Sequence, residues 1–288
     1  MNTKDGNPPS GMPTDPERSA LDWPGEAGLG GEFLAKVELR LRRRRRRRIA
    51  GTASVAILLF FTAFWGVPYI RDTATVATIA TQRHTHAMAD GSSAELNAGS
   101  SLHVDFRRGQ RMVQLNQGEA FFSVAKDAAH PFFVKTSAGT IRVTGTQFNV
   151  RVSGTGAVEV TLMEGAVTMQ PASGETESLV PGQQLVLGSG RANLRTLPPE
   201  ALENVVAWRK GRIALDGLTL AEAAERMGAF HGRKIVVASD IAGLHPGGVI
   251  PVDDLKGFFS GLELALSVQV MPISDGSFRI IGNARRGP

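Results

Sequence analysis

The sequence predicts a single-pass membrane protein whose bulk is an all-β domain, solenoid- or sandwich-like, followed by a small α+β domain of βαββαββ order. Three observations carry this. Seven consecutive arginines, Arg42 to Arg48, run into twenty-two mostly apolar residues, 49–70. Between residues 87 and 188, short alternating runs are broken by glycine about every ten residues. After Pro198-Pro199 the pattern changes to helix-compatible segments between short apolar runs.

The apolar stretch makes a helix of roughly 33 Å, enough to cross a hydrocarbon core of about 30 Å. Arg42, Arg43, Arg44, Arg45, Arg46, Arg47 and Arg48 set its orientation, because basic residues beside a span stay on the cytoplasmic side. The N-terminus is therefore expected inside. Residues 1–48 hold 11 Lys+Arg and 7 Asp+Glu, whereas residues 71–288 hold 21 and 20, so the net charge of +5 is a local block. A nucleic-acid-binding arm has no need of an adjoining apolar stretch, and a cleaved secretory signal has a shorter apolar region and a short leading segment. Both fit worse than an uncleaved anchor. Within the tail, residues 1–31 are rich in Pro and Gly and read as disordered. Glu32 to Leu41 is helix-compatible, with Phe33, Leu34, Val37 and Leu41 along one side.

Beyond the span, residues 71–86 are small and polar and read as an extended stalk. Residues 87–190 follow as the all-β domain. Val158-Glu159-Val160-Thr161-Leu162 and Ala166-Val167-Thr168-Met169 alternate on either side of Glu164-Gly165, as strands with one buried face do. The segments 115–121 and 162–167 resemble each other, each reading as strand, turn, strand, which favours solenoid-like stacking. Residues 191–204 read as a linker, and 205–288 as the α+β domain. There Thr219 and Glu222 have capping-box spacing ahead of a helix from Leu220 to about Phe230, with Leu220, Ala223, Ala224 and Met227 on its apolar face. Strands are expected at 213–215, 234–238 and 247–252, a second helix at 253–266 opened by Asp253-Asp254, and a hairpin turning at Ser274-Asp275-Gly276. Helices on one face of a small open sheet are the expected packing.

Chemistry is hard to find in this chain. It contains no cysteine, which excludes disulfides, thiolate catalysis and Cys-based zinc sites. The close histidine pair His84 and His86 has strand spacing for a metal clamp but no third ligand nearby in sequence. There is no Gly-x-Ser-x-Gly elbow, Walker loop or HExxH. The extramembrane part reads as a binding module, not an enzyme, with no cofactor and no catalytic residue.

Several short runs stand out together: Ala89-Asp90-Gly91-Ser92, Glu95-Leu96-Asn97-Ala98-Gly99-Ser100, Gln117-Gly118-Glu119-Ala120-Phe121-Phe122-Ser123-Val124, Pro131-Phe132, Gly145-Thr146-Gln147-Phe148-Asn149-Val150, Glu164-Gly165 and Pro181-Gly182-Gln183. In order and spacing they resemble the FecR family of transmembrane sensors. The resemblance covers about residues 80–190. The segment after 205, with Trp208, Gly211 and the Leu218-Thr219-Leu220 helix entry, is similar to the short N-terminal domain of secretins and TonB-dependent receptors (STN-like).

The resemblance implies an inner-membrane transducer with a periplasmic sensor. It would relay a signal from the signalling domain of an outer-membrane TonB-dependent receptor, often in iron or siderophore uptake, to an extracytoplasmic-function sigma factor. A membrane-associated protease is the third partner implied. One departure matters: the family's cytoplasmic sigma-binding domain is larger and rich in Trp and Leu, whereas this tail has 48 residues. Phe33, Leu34, Val37 and Leu41 are its candidate sigma-factor contacts, or simply an inward extension of the span. The alternative to the family role is an anchored structural adaptor without sigma-factor binding.

Overall fold

Alternation becomes strand wherever one face can be buried, which accounts for most of the thirteen strands described between Asp72 and Thr196. The computed structural model describes residues 72–107, 109–188 and 191–283, all within the unit Pro68–Pro288. The predicted tail helix, the arginine block Arg42–Arg48 and the span 49–70 lie outside the described residues. Among the described residues no helix is long and apolar enough to cross a membrane.

The strands are β1 (Asp72–Ala77), β2 (His84–Ala87), β3 (Ser93–Leu96), β4 (Ser101–Arg107), β5 (Gln110–Ser123), β6 (Phe132–Thr136), β7 (Gly139–Val143), β8 (Gln147–Val152), β9 (Val158–Glu164), β10 (Val167–Pro171), β11 (Glu177–Leu179), β12 (Gln183–Gly188) and β13 (Arg191–Thr196). They form a two-layer sandwich. One layer runs β11-β10-β7-β6-β5-β4-β1 and the other β2-β3-β5-β8-β9-β12-β13, so β5 belongs to both.

A bulge lets β5 do this. Ser101 pairs with Gln117 but Leu102 pairs with Leu115, leaving Asn116 as the extra residue. The inward positions accordingly switch from Val113 and Leu115 to Ala120 and Phe122, and the strand passes from one layer into the other. Phe122 stacks on Phe148 at 5.2 Å and lies 6.3 Å from Phe132, which meets Phe106 edge-on at 5.9 Å, so aromatic rings from both layers fill one core.

Four expectations need correction. Every described pairing in the sandwich except β5 with β6 is antiparallel, so the fold is a sandwich and not a stack of solenoid coils. Residues 71–86 are not a free stalk: β1 pairs with β4 over six residues and β2 pairs with β3. Small Ala74 and Val76 pack inward on the core while threonines face out, a thin alternation suited to an edge strand. The 191–204 linker instead contains β13, paired with β12, and a helix α1 (Pro199–Val205). Gly118, read as a turn, lies inside β5 just past the bulge.

After α1, a 3-10 turn (Ala207–Lys210) leads into a module of β14 (Arg212–Ala214), α2 (Leu220–His231), β15 (Ile235–Val237), β16 (Val249–Pro251), α3 (Leu255–Leu266), β17 (Val268–Pro272) and β18 (Phe278–Gly282). The order is the βαββαββ read from the sequence. Thr219 and Glu222 form the capping box, and Asp254 caps α3 by accepting from the Gly257 amide at 2.8 Å. The single open sheet expected is instead two, β14-β16 and β15-β18-β17. Gly248 at φ +96° and Pro251, which has no N–H to offer the ladder, keep β16 to three residues. Leu220, Met227, Phe258, Leu262 and Ile280 form the module's core, and Ala98 of the sandwich packs into it.

Candidate functional site

The outer face of the second layer is where the motif residues gather, because the inward-facing members of β3, β5 and β8 leave their neighbours pointing away from the core. Glu119 on β5 is nearly fully buried there, with its carboxylate accepting from Asn97 Nδ2 at 3.0 Å and Asn149 Nδ2 at 2.9 Å. Asn149 in turn accepts from Trp208 Nε1 at 3.3 Å. A chain of polar side chains thus links the sandwich to the 3-10 turn of the C-terminal module. The backbone beneath is fixed by Ser100, whose Oγ accepts from the Glu119 amide at 2.9 Å and donates to the Glu119 carbonyl at 3.0 Å.

Beside Trp208, the Arg209 guanidinium lies 3.8 Å from the centre of the Phe121 ring and pairs with Glu95. Phe121 is an outward-facing aromatic of the sheet, and Arg209 is what covers it. On the other flank, Arg151 binds Glu159 and Glu225, each at 2.6 Å, and Arg226 reaches Glu159 at 3.1 Å, so two residues of α2 join two of the sandwich. Burial opposes the charge of Arg151, but Glu159, Glu225 and Glu119 outweigh it and hold the guanidinium above its ordinary value. Burial likewise pushes Glu159 up, and Arg226 and then Arg151 overcome it, leaving the carboxyl below its usual value.

That direction fixes a pH dependence. A carboxyl whose folded value is depressed stabilises the fold above its unfolded value, 4.5 for Glu159, and that contribution is lost as pH falls through the folded value. Glu159→Gln is expected to flatten the acid limb of the stability profile below about pH 4.5 relative to wild type, measured by urea unfolding at a series of pH values. An unchanged acid limb counts against the bridge.

The remaining motif residues do different work. Asp90 accepts from the Ser92 amide at 2.9 Å and hydroxyl at 2.7 Å and pairs with buried Arg111 at 3.0 Å, while Gly91 takes φ +84° in that turn. Thr146 is buried and donates to the Ala166 carbonyl at 3.0 Å, and Val124 donates its amide to the Thr146 carbonyl at 3.0 Å. A Cβ on Gly165 would meet the Gly145 carbonyl at 2.8 Å, so the 145 and 165 turns touch. Phe122, Phe148 and Val150 are core. Glu164 is exposed, 4.0 Å from Lys126. Gln183 accepts from the Val180 amide at 3.0 Å, and the Gly182 amide donates to the Leu162 carbonyl at 2.9 Å.

Of the predicted residues, Asn97, Gly99, Gly118 and Glu119 line one cleft of about 570 Å³ together with Arg151, Arg226, Arg233 and Lys234. Asp253 and Asp254 belong to the start of α3, away from it. His84 and His86 lie on β2 opposite Leu96 and Ala94, and among the described residues no group of three His, Asp or Glu is placed to hold a metal.

Sequence reasoning missed Arg83, Arg111, Arg151 and Arg209 as organising residues. Arg111 had a signal: it occupies the same inward register as Val113 and Leu115, where a charge must be paired.

The fold has solved counterparts. Two crystal structures of a proposed anti-sigma factor from Parabacteroides distasonis ATCC 8503 superpose with TM-scores of 0.65, at 19% and 18% identity, each covering 73% of this chain and 99% of that one. At that identity the likeness establishes the fold alone. No curated protein is similar enough in sequence to count as a relative. Residues 74–168, from β1 into β10, match the sequence model of the family described as FecR protein, a similarity that covers about a third of the chain.

Proposed function

We propose that the protein is an inner-membrane signal transducer of FecR type, anchored by residues 49–70 with its N-terminus in the cytoplasm and its sandwich and C-terminal module in the periplasm. The FecR match over residues 74–168 is the observation that carries this reading. The C-terminal module, taken as STN-like, would receive the signalling domain of an outer-membrane TonB-dependent receptor in iron or siderophore uptake. The tail would regulate an extracytoplasmic-function sigma factor through Phe33, Leu34, Val37 and Leu41, with a membrane-associated protease acting near the span. The likeness to a proposed anti-sigma factor supports an output through a sigma factor. The protein acts by binding other proteins, not by catalysis.

The test is a reporter driven by the sigma factor encoded beside this gene. A chain ending after Leu197 is expected to lose its response to the receptor's ligand, and Phe33→Ala with Val37→Ala to lose sigma-factor capture by the tail. A reporter that responds unchanged in both sinks the reading, and a tail that captures nothing even in wild type favours the adaptor role.

A further inference from the structure

The segment between β1 and β2, residues 78–83, is held from two sides. From the sandwich, Thr78 donates its hydroxyl to the Asn97 carbonyl at 2.6 Å and accepts from the Ser100 amide at 2.8 Å, and its own amide donates to the Ser100 carbonyl at 2.9 Å. From the C-terminal module, the Phe230 carbonyl in the last turn of α2 accepts from the Thr81 amide at 2.7 Å. Arg83 Nη1 donates to the carbonyls of Trp208 at 2.8 Å and Arg209 at 2.7 Å, in the same 3-10 turn that plugs the motif cluster. Thr81 sits at φ +63°, a conformation a threonine keeps only when its neighbours enforce it.

On the N-terminal side of this connector lies β1, an edge strand whose only described sheet partner is β4. A strand with one partner is held by one ladder and whatever fixes its ends. Here the C-terminal end of β1 runs directly into the connector, and three hydrogen bonds, from Thr81 and Arg83, tie the connector's far half to the module while Thr78 and Ile79 are held by the sandwich. We propose that residues 78–83 form a relay through which docking of the C-terminal module determines whether β1 stays paired in the sheet. When Trp208 and Arg209 sit against Asn149 and Phe121, Arg83 and Thr81 are tethered and β1 is pinned. When the module lifts, the connector loses both tethers and β1 peels from β4, which turns movement at the module into release of the strand nearest the chain's N-terminal segment. The inference goes beyond the sensor reading and does not depend on it, since it concerns coupling within the fold and not the identity of any partner.

The experiment is hydrogen–deuterium exchange on the full-length protein in detergent micelles, comparing wild type with Arg83→Ala and with Trp208→Ala. Both variants are expected to exchange the amides of 72–77 about tenfold faster, the change expected when a charge-assisted hydrogen bond is lost. The edge strand β11, at the far end of the same layer and opening on its own, is expected to keep its wild-type rate. Equal acceleration in β1 and β11 means that the contacts merely stabilise the whole unit, and overturns the proposal, as does unchanged β1 exchange in both variants.

A lock gives the converse. A Cβ at Gly232 would lie 2.8 Å from Ala80 Cβ, about 1 Å inside the roughly 3.5–4.5 Å that a disulfide spans, so a bridge there needs only a small outward shift of the connector, and the chain has no other cysteine to interfere. Ala80→Cys with Gly232→Cys, oxidised in the Trp208→Ala background, is expected to return β1 exchange to the wild-type rate, and reduction to release it again. A disulfide that forms and leaves β1 exchange fast overturns the relay.

Discussion

Gly118→Ala is expected to lower the stability of the sandwich by about 3 kcal/mol, combining the cost of a side chain at positive φ with overpacking. Gly118 sits at φ +85°, and a Cβ there would fall 2.5 Å from Ser100 Cα, in a stretch of β5 that cannot shift because the Ser100 hydroxyl is bonded to both the amide and the carbonyl of Glu119. Gly182 is the internal control. Its φ is +86°, yet nothing lies within 4 Å of the position its Cβ would take, so Gly182→Ala is expected to cost only about 1 kcal/mol. Urea unfolding of the two variants under one set of conditions separates the terms. Equal losses would show that the close approach to Ser100 carries no energy of its own.

Arg111→Ala is expected to be the other most damaging single change, at about 4 kcal/mol, because removing one member of a buried ion pair strands the rest. Arg111 donates to Asp90 at 3.0 Å and to the carbonyls of Ala125 at 3.1 Å, Asp127 at 3.2 Å and His130 at 2.8 Å, so one guanidinium closes the loop between β5 and β6 onto the Asp90 turn. Its side chain and that of Asp90 are only 8% and 5% exposed, so solvent cannot take over the lost bonds. A double-mutant cycle with Asp90→Ala is expected to be strongly non-additive, the second removal costing far less than the first. Additive losses would mean that the two charges are solvated independently, contrary to their burial.

How far the sequence revealed this molecule depends on the range of the interactions involved. Period-2 runs and capping boxes are local, so strands such as Val158–Glu164 and the helix opened by Thr219 are legible in the sequence alone. The choice between stacked coils and a sandwich rests on which strands pair across the chain, and nothing within β9 records that it lies between β8 and β12. The bulge at Asn116 looks like a turn in sequence because glycine after a polar pair marks either, and only the register against β4 distinguishes them. In sequence β1 looks like a stalk because an edge strand that buries only an alanine and a valine carries little hydrophobic signal.

Within the candidate site, the motif runs were visible as residues but not as one place. Asn97, Glu119 and Asn149 lie on three strands and converge only through the register of β3, β5 and β8. Phe121 offered a hint, since an aromatic on the outer face of a strand asks for a cover. That cover is Arg209, nearly ninety positions along the chain, which no local pattern could point to.

The strand shared by both layers also shapes the order of assembly during synthesis. The partners of β5 are split around it in sequence: β3 and β4 come before, β6 and β8 after. When β5 leaves the ribosome, its two halves can zip onto hairpin neighbours that are already present, which are short loop closures. What results is a bent template with an open edge in each layer, and each later strand is added at an edge already waiting for it. Until β6 and β8 arrive, the sides of β5 they will pair with stay unsatisfied beside the lasting edges β1 and β2, which leaves the nascent chain open to intermolecular pairing there.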